Sequence, residues 1–379
     1  MILHRRSGST VQGKRMQRFK PGRIWTDDRN RPINAHGGGI LYRTGTRTYY
    51  WFGEHKNEDG AELRFGEPSS PTEPADGGAH VYSSQDLYAW HDEGLALPVV
   101  RDDPAHDLAR GCVFERPKVV RSPATGLYVM WFKLFRRGAG YEVCHTGTAV
   151  AASPAGPYRY HGKFLAGQSE AGAGDFALFQ DDDGRTFHFC SRKPTHEVYA
   201  AELQDDCLAP RRPYVRVIAG DNFEAPAVFK RHGKYYMMGS HCTGWEPNPA
   251  RCAVAEAPLG RWREIGNPCL GEGRERTFDA QVTYVLPVAG RPDAFVFLAD
   301  RWRPECPAQG RYVWLPIAFE GEQPVVRWIN EWDLGWFEGR EAEGRRQEAE
   351  GRRQRGVIGD RCQRASTLDP RPSSLDSLD

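Results

Sequence analysis

One short motif occurs twice and narrows the possible folds more than any other feature of the chain. Phe114-Glu115-Arg116-Pro117 returns as Phe223-Glu224-Ala225-Pro226. Each copy runs into an apolar stretch, a glycine-containing turn and an aromatic run, Tyr128-Val129-Met130-Trp131-Phe132 in the first and Tyr235-Tyr236-Met237-Met238 in the second. Similar pairs of runs start near Gly39, Asp175 and Gln281, so the unit recurs five times. Self-similarity at a spacing of roughly 50–80 residues marks a repeat architecture. Short runs rich in aromatic and β-branched residues, separated by turn residues, mark strands and not helices. Three repeats also carry matching turns that end on a large aromatic: Ser83 to Trp90, Ala151 to Tyr158 and Ala255 to Trp262. Such a turn is expected to anchor an outer strand. Five units of about four strands each predict an all-β, five-bladed β-propeller over residues 23–335. A pair of separate β domains is the competing layout.

Composition agrees and excludes several functions. Forty-one glycines and 27 prolines suit many turns. Fifty-one basic against 50 acidic side chains leave no global field to attract nucleic acid or an anionic membrane. No apolar run approaches the ~20 residues of a membrane span. Nine scattered cysteines include no Cys-x-x-Cys pair, so buried free thiols are expected, and no metal or cofactor. A Cys242–Cys252 disulfide stays open. Residues 1–22 are basic and lack the apolar segment of a secretory signal, so they are expected to form a flexible arm. Residues 336–379, with the repeated Glu-Ala-Glu-Gly-Arg-Arg-Gln, are expected to be a disordered charged tail.

In a propeller, the residues that open the inner strands converge on one channel. Here they are His36, Glu115, Asp175, Glu224 and Gln281. Carboxylates and amides pair with sugar hydroxyls, and aromatic faces stack on a pyranose. Trp51, Tyr141, Trp245 and Trp302 are the candidate platforms, Trp245 and Trp302 the better placed because they sit in loops. Cleavage of a glycosidic bond needs an acid for the leaving oxygen and a second group to activate water. Glu224, flanked by Phe223, Ala225 and Pro226, suits the acid, because desolvation keeps a carboxyl protonated. Glu115, beside Arg116 and near Lys118, is expected to stay ionised. Gly37-Gly38-Gly39 lacks a phosphate-loop lysine and a following helix, and is expected to permit close backbone approach. A sialidase pattern is matched only partly by Ser84 to Trp90.

At these residues the chain resembles glycoside hydrolase family 43, and within it the exo-β-1,3-galactanase branch. The resemblance rests on Asn34-Ala35-His36-Gly37-Gly38-Gly39, Trp51-Phe52-Gly53-Glu54, Glu115-Arg116-Pro117-Lys118, Glu224-Ala225-Pro226, Asp279-Ala280-Gln281 and Asp300-Arg301-Trp302. It implies a five-bladed propeller and an inverting, exo-acting β-galactosidase or exo-β-1,3-galactanase. The substrate would be a β-galactan-type poly- or oligosaccharide. It implies Glu224 as acid, Gln281 where a base is expected, through an unusual amide tautomer or a relay through Glu115, and Glu115, Tyr141, Asp175, Thr243 and Trp245 around the terminal galactose. His36 and Trp302 are further binding candidates. No aspartate occupies the first blade's inner strand, an absence the galactanase branch shares and one that counts against an arabinofuranosidase or xylosidase. One departure from the branch stands out. Ser191-Arg192-Lys193-Pro194 replaces an expected sugar-binding asparagine, which keeps a non-catalytic glycan-binding propeller in play. Export is expected from the substrate class alone, and oligomeric state leaves no sign in the sequence.

Overall fold

The computed structural model describes residues 18–56, 77–220, 222–304 and 306–339. Five antiparallel sheets account for nearly all regular structure from Arg18 to Trp332. Blade I contains β1 (His36–Arg43), β2 (Thr48–Glu54), β3 (Gly78–Ser84) and β4 (His91–Pro98), and blade II contains β5 (Val113–Arg121), β6 (Tyr128–Phe135), β7 (His145–Ala151) and β8 (Arg159–Phe164). Blade III contains β9 (Ala173–Gln180), β10 (Thr186–Arg192), β11 (Glu197–Glu202) and β12 (Val215–Ile218). Blade IV contains β13 (Glu224–Arg231), β14 (Lys234–Ser240), β15 (Arg251–Ala255) and β16 (Arg263–Gly266). Blade V contains β17 (Cys269–Leu270), β18 (Gln281–Pro287), β19 (Phe295–Arg301), β20 (Arg311–Glu320) and β21 (Gln323–Arg327), with β17 parallel to β21 at the outer edge. The inner strands β1, β5, β9, β13 and β18 each touch the next in a closed ring. The fold is a five-bladed β-propeller, with no separate second β domain among the described residues.

Apolar material lies mainly between blades. One buried cluster joins blades I and II through Phe52, Phe114, Phe132 and Tyr158, and another joins III and IV through Phe189, Phe223, Met237 and Trp262. Second strands such as β6, covered on both faces, are buried almost end to end, which explains their continuous apolar runs. The three matching turns behave as expected. Trp90, Tyr158 and Trp262 are buried just ahead of β4, β8 and β16. Each bonds back to its own turn, Trp90 Nε1 to Leu87 O at 3.2 Å, Tyr158 OH to Pro154 O at 3.2 Å and Trp262 Nε1 to Pro258 O at 3.0 Å.

No strand is shared between blades V and I, and the segment from Arg18 to Ala35 closes the ring instead. Phe19 is buried and pairs with Trp332, Gly22 N–H donates to Tyr312 O at 2.8 Å, and Tyr312 OH donates to Ile33 O at 2.9 Å. The boundary expected at Arg23 therefore moves forward to include Arg18–Gly22. Residues 1–17 of the expected arm lie outside the described residues. Of the expected tail, residues 336–339 belong to a short helix that starts at Gly335, and 340–379 lie outside the described residues.

Candidate active site

Every inner hairpin carries a break in register close to the residue that opens the inner strand. The shifts fall between His36 and Gly39, Glu115 and Lys118, Glu224 and Ala227, and Val282 and Tyr284, and blade III has its own beside Arg192. In three blades the next residue is left-handed, with φ of 64° at Gly37, 56° at Arg116 and 51° at Ala225. A bulge of this kind re-aims one side chain and leaves a backbone group outside the ladder. Proline, with no N–H to donate, is tolerated there, so Pro117 and Pro226 directly follow. The repeated Phe-Glu-x-Pro is therefore a bulge signature that turns a carboxylate into the channel.

The bulges open on a cavity of about 380 Å³ lined by Glu54, Glu115, Arg116, Lys133, Asp175, Glu224, Gln281 and a partial wall of aromatics. That volume suits a small ligand (~300–1,000 Å³). Of the residues named from sequence, Glu115, Glu224, Gln281, Tyr141, Asp175, Trp245 and Trp302 all line it.

Three expectations need correction. His36 is fully buried behind the site, with its ring stacked on Tyr312 at 5.1 Å and Nδ1 3.8 Å from Asp300. Thr243 does not line the cavity, because its hydroxyl is spent inside its own loop, donating to Glu246 O and accepting from Asn248 Nδ2, both at 2.6 Å. Trp51 packs against Trp90, Tyr312 and Trp314 in the seam between blades I and V. The glycines at 37 to 39 serve close approach but do not wall the cavity. A Cβ on Gly38 would lie 1.6 Å from Phe52 O, and one on Gly37 2.2 Å from Glu54 Oε1. Cys242 and Cys252 are both free thiols, so the bridge between them is not formed.

The two motif carboxylates differ electrostatically. Glu115 sits directly across the hairpin from Lys133, and the Lys133 ammonium lies 2.7 Å from Glu115 Oε2 and 2.9 Å from Asp175 Oδ1. Burial pushes the Glu115 carboxyl up, but Lys133 and Lys56 outweigh it and hold it below the ordinary glutamate range. Asp175 follows the same pattern: burial opposes, and Arg116 at 2.8 Å together with Lys133 keeps it far below the usual carboxylate range. Glu224 faces Ser240 across its hairpin. Burial, then the negative charge of Asp175, pushes its carboxyl up to about 7. The ionised state expected for Glu115 thus holds, but its partner is Lys133. Arg116 turns to Asp175 and Gln281, and Lys118 reaches Gly37 O at 3.2 Å.

Gln281 is satisfied at both ends. Its Oε1 accepts from Arg116 Nη2 and from Trp302 Nε1 at 3.0 Å, while Nε2 donates to Ser240 Oγ at 3.0 Å and to Glu224 Oε2 at 3.3 Å. Arginine and tryptophan only donate, so the atom facing them has to be the oxygen. An imidic tautomer would place a hydroxyl against two donors. Gln281 also touches the Glu224 carboxyl, whereas an inverting pair stands ~6.5–9.5 Å apart around sugar and water.

Sequence reasoning passed over Lys133, Glu54, Lys193, His196 and Cys242, all of which line the cavity. Lys133 and Glu54 had a usable signal, since each lies opposite the residue named as opening its inner strand, Glu115 and His36. Lys193, His196 and Cys242 sit on loops between strands, where repeat matching gives no register. The Lys193 ammonium donates to Tyr141 O and lies 5.3 Å over the Phe135 ring.

Comparison with known proteins converges on one family. The glycosyl hydrolases family 43 model matches residues 40–315. No curated protein matches the chain. A solved family 43 β-1,3-galactosidase is 35% identical at a TM-score of 0.76, over 85% of this chain and 64% of that one, so the chain spans less than two thirds of that relative. A second β-1,3-galactosidase of the family, solved with galactodeoxynojirimycin, is 36% identical at a TM-score of 0.74, over 83% of this chain and 100% of that one. An exo-β-1,3-galactanase from Phanerochaete chrysosporium, solved with β-1,3-galactotriose, is 28% identical at a TM-score of 0.73, over 84% of this chain and 68% of that one. With a propeller of five bulged blades around a carboxylate-lined cavity, the chain belongs to glycoside hydrolase family 43.

Proposed function

We propose that the protein is an inverting, exo-acting β-galactosidase of the exo-β-1,3-galactanase type, releasing terminal galactose from β-galactan chains. The relatives that cover this propeller are β-1,3-galactosidases and exo-β-1,3-galactanases. The observation that carries the chemistry is that two carboxyls lining one cavity are pushed in opposite directions, Glu224 up to about 7 and Glu115 below the ordinary glutamate range. Glu224 acts as general acid on the leaving oxygen. Glu115 accepts the proton of the attacking water, since Asp175 is tied to two cations and the Gln281 amide has no free acceptor. Gln281 holds the Glu224 carboxyl through its Nε2–H. Trp245 and Trp302, 5.8 Å apart and near-perpendicular, offer the stacking wall for the sugar.

The test is galactose release from a β-1,3-galacto-oligosaccharide by three variants. Glu224→Gln and Glu115→Ala are each expected to lower turnover by on the order of 10² or more. Gln281→Ala should retain more activity than Glu115→Ala, and the reverse order would return water activation to Gln281. Calorimetric binding of the oligosaccharide with no galactose released by the wild type would instead select a glycan-binding module.

A further inference from the structure

We propose that His196, Cys242 and Glu224 form a site for a borderline-soft divalent cation such as Zn²⁺, whose binding reversibly inhibits the enzyme by capturing Glu224. One ligand atom from each of the three lies within 4.8 Å of the other two. Among the described residues no other group of three such side chains meets this spacing. Cys242 Sγ stands 3.8 Å from His196 Nε2. A tetrahedral ion with Zn–S of about 2.3 Å and Zn–N of about 2.0 Å sets these atoms about 3.5 Å apart, so only a few tenths of an ångström of contraction are needed. Thiolate, imidazole and carboxylate together suit zinc better than the hard cations calcium and magnesium.

The supporting shell is already in place. His196 Nδ1 is 3.1 Å from the hydroxyl of buried Ser191, which leaves Nε2 turned toward the thiol. A partner on the second ring nitrogen is the usual device for fixing a metal-binding histidine. The His196 carbonyl accepts a 2.9 Å bond from Phe223 N–H, so this turn of blade III is tied to the residue preceding Glu224. All three ligands line the cavity, which leaves the fourth coordination position open to water or a sugar hydroxyl. Binding releases the thiol proton, and the carboxyl proton when Glu224 carries one, while neutral His196 supplies its Nε2 lone pair. No redox change is involved. The Lys193 ammonium, on the same wall, opposes the cation.

Binding does not depend on the catalytic roles, whereas the inhibitory half rests on Glu224 as acid, so the two are read separately. Co²⁺ titration of chelator-treated protein should give a thiolate-to-metal charge-transfer band at one equivalent. Zn²⁺ should displace the cobalt, and galactose release should fall in parallel and recover with chelator. Cys242→Ser should abolish the band and raise the zinc dissociation constant by ~100-fold or more. Ser191→Ala should raise it ~10–100-fold, and Lys193→Met should lower it. Thermal unfolding without metal confirms that each variant is folded. Absence of the band in the wild type, or a band unchanged in both Cys242→Ser and His196→Ala, overturns the site. A band that follows the variants while zinc leaves galactose release unchanged keeps the site and overturns the inhibition.

Discussion

Blades II and IV present the same motif to the same cavity and shift its carboxyl in opposite directions. Glu115 and Glu224 both open an inner strand, both precede a left-handed residue and a proline, and both line the cavity. They differ in the residue across the hairpin, Lys133 in blade II and Ser240 in blade IV. Lys133, together with Lys56, outweighs the cost of burying Glu115, whereas Ser240 offers no charge against the burial and the Asp175 charge that raise Glu224. The backbone repeat builds the position, and the charges around it shift its carboxyl.

Exchanging the facing residues tests this directly. Ser240→Lys should supply to Glu224 the cation that Lys133 supplies to Glu115, strip its proton and lower turnover by on the order of 10², comparable to Glu224→Gln. Full activity in Ser240→Lys would detach the charge state of Glu224 from its hairpin partner. Lys133→Met comes next. It leaves Glu115 and Asp175 buried with one cation fewer and should destabilise the fold by ~3 kcal/mol, read by denaturant unfolding.

The same substitution should change the response to pH. In the wild type Glu115 and Asp175 are held below their unfolded-state values of about 4. Their contribution is therefore present above about pH 4 and lost as pH falls through the lower folded values. Removing Lys133 lets burial raise Glu115, so acidification below pH 5 should cost Lys133→Met less thermal stability than it costs the wild type. Equal slopes would assign the depressed values to groups other than Lys133. The smallest effect is expected from Trp302→Phe, which removes one of the two donors to Gln281 Oε1 but keeps an aromatic face. A several-fold fall in turnover with little change in KM would mark the indole N–H as a positioning contact.

Much of this was legible in the sequence because the repeat exposes position. The five inner strands and three anchoring turns follow from similarity between units, and so does the convergence of Glu115, Asp175, Glu224 and Gln281. What escaped depends on direction and partner. His36 opens its strand like the others, yet the bulge at Gly37 sends its ring behind the sheet toward Tyr312 and Asp300. Arg116 and Lys118 adjoin Glu115 in sequence but point elsewhere, and its cation comes from the next strand. Thr243 lies between two lining residues, Cys242 and Gly244, while its own side chain closes the loop. Adjacency in the chain does not report contact where a strand is bulged.

The roles proposed for Glu224 and Glu115, acid on the leaving oxygen and base for a water on the opposite ring face, predict displacement with inversion. Proton NMR of the first galactose released from β-1,3-galactotriose measures this. The account predicts α-galactose as the initial product, with the β anomer rising only as mutarotation proceeds. β-Galactose as the initial product would contradict it.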